Sequence, residues 1–236
     1  MKTFKFLFVL ILAVAGINLM VVAGNRDKTE TRNVRNFDAI KVSTGIDLYL
    51  KMGETEVVKI VADDDIIDDI ITEVKDGTLR IYMKKNNWFN WGGNKTRKAY
   101  VTVKELNAID ASSGSDVKTE NTIKGESLKV QASSGSDVEL DVLYKNLWLD
   151  TSSGSDAKLS GKVKTFDAEA SSGSDIKAQT MESKICKVRV SSGSDATVSV
   201  SDELYARASS GGDVRYYGNP EVRDIDESSG GDVVQK

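Results

Sequence analysis

Aspartates at a fixed interval are the residues in this chain best placed to do chemistry. The string Ser-Ser-Gly-Ser-Asp begins at Ser112, Ser133, Ser152, Ser171 and Ser191, and Ser-Ser-Gly-Gly-Asp begins at Ser209 and Ser228. One series is therefore Asp116, Asp137, Asp156, Asp175, Asp195, Asp213 and Asp232. A second is Gly114, Gly135, Gly154, Gly173, Gly193, Gly211 and Gly230, with separations of 21, 19, 19, 20, 18 and 19 residues. Carboxylates stacked by such a repeat repel one another unless something intervenes. Calcium would relieve the repulsion, since it takes carboxylate and carbonyl oxygens, but one carboxylate per repeat is few for that ion. A carboxylate pair could serve glycoside hydrolysis, yet an active site is singular and this Asp recurs in every copy. The expectation is structural: each Asp caps its own corner, and the Lys or Arg two residues on moderates the repulsion. No metal or other cofactor is called for, and no enzyme.

Other chemistry is excluded by composition. The 236 residues contain no histidine and one cysteine, Cys186. That removes Ser-His-Asp and Cys-His nucleophile systems, histidine metal sites and any intrachain disulfide. Cys186 falls in an apolar column and reads as a buried core thiol.

Aromatic residues are the candidates for binding. Trp88, Phe89 and Trp91 stand among Asn and Gly in residues 86–94, an adaptable loop that either meets a ligand or covers the end of a repeat array. Trp148 and Tyr205 each stand four residues before a corner, on the side that alternation turns outward. Binding is expected through the loop, which is singular, and not through the aspartate series.

What positions these residues is the pattern around each corner. Val117, Val138, Ala157, Ile176, Ala196, Val214 and Val233 follow the Asp directly, and Val130, Leu149, Ala168, Val188 and Ala206 stand three residues ahead of the first Ser. Leu128, Leu147, Phe166, Cys186 and Leu204 stand five ahead, and polar residues fall between the two sets. Period-two alternation means strands with one buried face. A single repeat cannot bury that face alone, whereas stacked repeats can. The fold is therefore all-β, a single-chain β-solenoid with coils of about 19 residues, taken as a right-handed β-helix. Gly supplies the positive φ of a tight corner, and small Ser side chains allow close stacking and bond the backbone there.

Residues 106–236 form the repeat solenoid. Residues 24–105 form a less regular β-rich segment continuous with it, containing a degenerate corner at Thr44-Gly45. Residues 63–72, with acids in front and paired isoleucines, predict one short helix. Residues 1–23 read as a signal peptide: Lys2 and Lys5, an apolar run from Phe6 to Val14, and small residues before cleavage after Ala23. Losing the two lysines takes the formal charge from −4 to −6. An acidic protein lacks the basic patch that nucleic acid or an anionic membrane face requires. No integral membrane span is expected once the signal is cleaved.

The Ser-x-Gly-x-Asp corners, the Phe37-Asp38-Ala39-Ile40 entry and the segment from Val74 to Ile81 resemble the head-GIN-domain family, over residues 35–234. Its members are exported bacterial proteins, common in Bacteroidetes and labelled auto-transporter adhesins. The resemblance implies a β-helical array in the periplasm, on the outer surface or secreted, and it supplies no catalytic residue. The chain shows no C-terminal barrel pattern of a translocator. The function read from the sequence is a non-enzymatic binding or adhesion-like module for a glycan or protein. Its alternatives are a self-assembling structural solenoid and, more distantly, a polysaccharide-active enzyme.

Overall fold

Strands that bury every second side chain need a facing layer, and here each coil supplies both layers. The computed structural model describes residues 27–84 and 95–236. Its repeat region consists of β8 (Ala108–Ser112), β9 (Val117–Thr119), β10 (Ile123–Ser133), β11 (Val138–Ser152), β12 (Ala157–Ser171), β13 (Asp175–Val190), β14 (Asp195–Ala208), β15 (Asp213–Tyr217), β16 (Val222–Glu227) and β17 (Asp232–Gln235). All of their pairings are parallel. Each of β11 to β14 runs from one Ser-Gly corner to the next and bends midway, so its first half joins one sheet and its second half the other. The apolar columns meet between the sheets: Leu147, Phe166, Cys186 and Leu204 are stacked in register, and all are buried. The expected β-solenoid is the observed fold.

The N-terminal segment is an excursion from the first coil. β2 (Ala39–Ser43) and β3 (Asp47–Met52) flank the Gly45 corner and pair in parallel with β8 and β9. The degenerate corner thus stacks directly on the Gly114 corner, 69 residues further on. After β3 the chain leaves the stack. It forms β4 (Val57–Asp63), β5 (Ile70–Lys75), β6 (Thr78–Met83) and β7 (Arg97–Val103), and then returns to β8. β6 and β7 make the level beyond β2 and β3. Antiparallel strands finish that end: β5 on β6, β4 on β7, and β1 (Asp27–Arg32) on β4.

The helix expected at residues 63–72 does not form. β4 continues through Asp63, a 3₁₀ turn spans Ile67–Asp69, and Ile70 begins β5. Ile66, Ile67 and Ile70 are buried together over the end of the core. Branched isoleucines fit a pleated, half-buried surface better than a helix this short, which would be marginal on its own.

At the other end the last coil is polar. Arg223 pairs with Leu204 and Glu227 with Ala208, both at core positions, while Asp224 lies in the outward column opposite Tyr205. Gln235 accepts from Tyr216 and Arg223 at 3.4 Å and donates to Gly218 O at 2.8 Å, closing the end of the core with hydrogen bonds.

Candidate functional site

The corners hold the outer faces in register, and four of their five positions have a distinct task. The second Ser and the Gly both adopt left-handed backbone, as at Ser153 (φ 56°) and Gly154 (φ 70°). Positive φ was expected of the glycines and is observed; the sequence did not reveal that the preceding Ser shares it. Each corner Gly N–H donates to the carbonyl of the second Ser of the next coil at 3.1–3.2 Å, without interruption from Gly45 to Gly211. The fourth residue points inward. Ser115, Ser136, Ser155, Ser174 and Ser194 are fully buried. The hydroxyls of Ser115, Ser136, Ser155 and Ser194 take backbone N–H groups of the coil before, as in Ser136 N–H to Ser155 Oγ at 3.0 Å, whereas Ser174 Oγ accepts from Ser171 N–H of its own corner and donates to Thr151 O.

In the last two copies that fourth residue is Gly, and the reason is steric. A Cβ at Gly212 would lie 2.8 Å from Ser194 O, and one at Gly231 would lie 2.5 Å from the Ala208 carbonyl carbon. Both N–H groups turn back to their own corner, to Ser209 O and Ser228 O at 3.0 Å.

The aspartates are structural in a different way from the one expected. Each does not cap its own corner. Asp116, Asp137, Asp156 and Asp195 instead accept, through Oδ1, the N–H of the Asp one coil on, at 2.9–3.2 Å. The column is a ladder of charge-assisted bonds running along the solenoid axis. The cation two residues on does moderate repulsion in the C-terminal half. Lys177 lies 3.3 Å from Asp156 and 3.8 Å from Asp175, and Arg215 lies 3.2 Å from Asp195 and 3.1 Å from Asp213. In the N-terminal half it does not, because Lys118 and Lys158 both turn to Glu139 (2.8 and 3.0 Å) and hold its carboxyl below the usual range. Burial, followed by the Asp116 charge, pushes the Asp47 carboxyl up.

Trp148 and Tyr205 both face outward on the sheet formed by the second halves of the coils. They belong to one column: Lys129, Trp148, Asp167, Lys187, Tyr205, Asp224. Trp148 is 45% exposed. Lys187 Nζ sits 5.9 Å from the Tyr205 ring, and the Tyr205 hydroxyl donates to Glu203 at 2.8 Å. Trp88, Phe89 and Trp91 lie outside the described residues. Cys186 is buried between Phe166 and Leu204, and burial pushes its thiol up, as expected of a core residue.

Sequence reasoning missed a second aromatic feature, on the opposite sheet. Tyr49 and Tyr100 stack with centroids 4.9 Å apart and planes 15° from parallel, and Lys59 lies 4.5 Å over Tyr100. Beside Tyr49 a groove of about 400 Å³ runs along the aspartate column to Lys177. The pairing of Tyr49 with Tyr100 depends on an excursion that a 19-residue period does not reveal.

Fold and faces together define a parallel β-solenoid that presents charged and aromatic columns on both outer surfaces. The chain belongs to the family described as "Putative auto-transporter adhesin, head GIN domain", which matches residues 36–220. Similar solved structures include a putative adhesin from Bacteroides fragilis, at 20% identity and TM-score 0.83, covering 90% of this chain and 98% of that one. A putative adhesin from Parabacteroides distasonis matches at 20% identity and TM-score 0.69, over 89% and 98% of the two chains. A putative lipid-binding protein from the same species matches at 19% identity and TM-score 0.65, over 90% and 98%. Comparison with curated proteins finds no match. Among the described residues no helix is long and apolar enough to cross a membrane.

Proposed function

We propose that this is an exported, non-enzymatic binding module of the bacterial envelope, adhesion-like, which holds a glycan or protein along its outer surface. The observation that carries the reading is the outward column with Trp148 and Tyr205 in register, Trp148 nearly half exposed. Large aromatics with a polar edge are the usual platform for a sugar face or a partner's side chain. Parallel sheets with every coil hydrogen-bonded to the next supply rigidity, so little ordering entropy is spent on binding. Family membership and the likeness to putative adhesins support a binding role, and the apolar run in residues 1–23 supports export. The aromatic segment Trp88, Phe89 and Trp91 enters the reading from sequence alone.

A glycan array with the mature protein tests this directly, beside Trp148→Ala/Tyr205→Ala and Trp88→Ala/Trp91→Ala variants. Binding that falls with either pair, at an unchanged melting temperature, supports the reading. The self-assembly alternative draws on the last coil, where Val222, Ile225 and Val234 are exposed. Light scattering that shows growth with concentration would favour it.

A further inference from the structure

The repeat makes each coil equivalent, so a local departure from equivalence is informative. The aspartate column departs between Asp47 and Asp137. From Asp156 to Asp213 each carboxylate has a cation; here Lys118 and Lys158 are drawn away to Glu139. Oδ1 of Asp116 and of Asp137 is committed to the next coil's N–H, while Oδ2 of each carries no hydrogen bond or ion pair among the described residues. The carboxylates are held in a fixed orientation with one acceptor turned out per coil.

The groove of about 400 Å³ lies along this stretch. One wall is the Asp column and the other is Tyr49, Lys118, Glu139 and Lys158, each one coil beyond the last. The floor is apolar, with Leu48, Val117 and Val138 beneath. Tyr100 covers one face of Tyr49, so the face left free lies on the Lys118 side, at the end of the groove. An aromatic face, lysine stems and an apolar floor suit the C–H face of a sugar, and rows of fixed acceptors and donors suit its hydroxyls.

We propose that this groove binds a linear, uncharged polysaccharide laid along the solenoid axis, one sugar to each coil. The inference rests on the reading of the protein as a binding module. Three observations select the occupant. Coils repeat at about 4.8 Å, close to the length of one pyranose in an extended chain, whereas an extended peptide advances about 3.3 Å per residue and falls out of step. Asp47, Asp116, Asp137, Asp156 and Glu139 outnumber Lys118, Lys158 and Lys177 along the groove, so a polyanion is repelled. Charged walls also exclude an acyl chain. The sequence placed binding away from the aspartates; the groove makes them one of its walls.

Calorimetric titration with cellohexaose, xylohexaose and chitohexaose, and with their dimers, tests the proposal, with oligogalacturonate as the charged control. At least one neutral hexamer is expected to bind ten or more times tighter than its dimer, with no gain beyond the four coil levels of the groove. Tyr49→Ala should weaken binding about tenfold. Asp137→Asn keeps an acceptor for the Asp156 N–H and should weaken binding several-fold at an unchanged melting temperature, so a folding defect in the Tyr49 variant would not obscure the result. Millimolar hexamers that fail to bind, or variants that bind as wild type does, overturn the groove. Glycan binding lost only in Trp148→Ala/Tyr205→Ala overturns the groove and leaves the wider reading standing. A protein that retains nothing on the array loses the groove and the glycan half of the wider reading, leaving a protein partner.

Discussion

At the Ser-Gly corner the chain spells nearly the same five residues in every coil, while at the opposite bend scarcely two coils agree. Coil lengths vary between 18 and 21 residues, and the variation falls on one side. The offset between β9 and β11 is that of Val117↔Val138, and it has shortened by Ile123↔Val142, so the two extra residues lie between Lys118 and Ile123. Register shifts between β12 and β13, and between β13 and β14, fall at Lys158/Ser160, Ala178/Glu182 and Ser183/Ile185. The whole excursion through β4 to β7 also leaves after β3 and returns at β8, on the bend side. None of this falls within the Ser-Gly corners, because three backbone and side-chain ladders cross them, from the Gly, the inner Ser and the Asp. The comparison teaches that the corner fixes register and the bend absorbs change.

The sharpest challenge to a tolerant bend is Gly161. It holds φ 102°, and a Cβ there would lie 2.1 Å from Val142 O. Gly161→Ala should cost about 3–5 kcal/mol, combining backbone strain with overpacking. A urea midpoint close to wild type would mean the backbones do not approach so closely. The bend would thus be free in length but not in volume.

Corner glycines should respond more gently, because a Cβ at Gly154 meets nothing within 4 Å and the penalty is torsional alone. Gly154→Val should cost about 2–3 kcal/mol, and Gly154→Asn well under that, since Asn tolerates left-handed backbone. Gly230→Val should cost less than Gly154→Val, because the last corner has a neighbour on one side only. Equal costs at the two sites would count against a stacked ladder.

Ser155→Ala leaves the buried Ser136 N–H without its acceptor and should cost about 1–3 kcal/mol. The same change at exposed Ser153 should cost only a few tenths, consistent with a surface substitution. If both serines respond alike, the inner ladder contributes nothing specific.

The smallest effect should come from Asp47. Its carboxyl is raised by burial and by Asp116, so the folded state takes up protons more readily than the unfolded chain. That favours folding below the unfolded pKa of about 3.9 and is lost as pH rises through the folded value. Asp47→Asn should therefore raise the melting temperature slightly at pH 7, with the gain vanishing near pH 3. A gain that persists in acid would point to packing instead.

Much of the array was legible in the sequence because its signal is repeated: the apolar columns at Val130, Leu149 and Ala168 and the outward Trp148 lie where alternation put them. Three things were not. Asp side chains bond one coil ahead because the nearest free N–H lies across the stack, a neighbour that sequence distance conceals. The Gly45 coil sits on the Gly114 coil although 69 residues separate them; the matching Ala39-Ile40 and Ala108-Ile109 were the available signal. The isoleucines of residues 63–72 look helical by spacing, but their place is the end of a β core, where burial outweighs periodicity. The Tyr49–Tyr100 stack and its groove follow from that same excursion.

Paired insertions test the division between corner and bend most directly. Two residues, Gly-Ser, would be placed after Gly154 in one variant and after Lys184 in another, and the urea midpoint of each compared with wild type. The bend insertion should fold with nearly the wild-type midpoint, while the corner insertion, which breaks all three ladders and throws the outward columns out of line, should lose several kcal/mol or not fold. A corner insertion tolerated as well as the bend insertion would contradict that division.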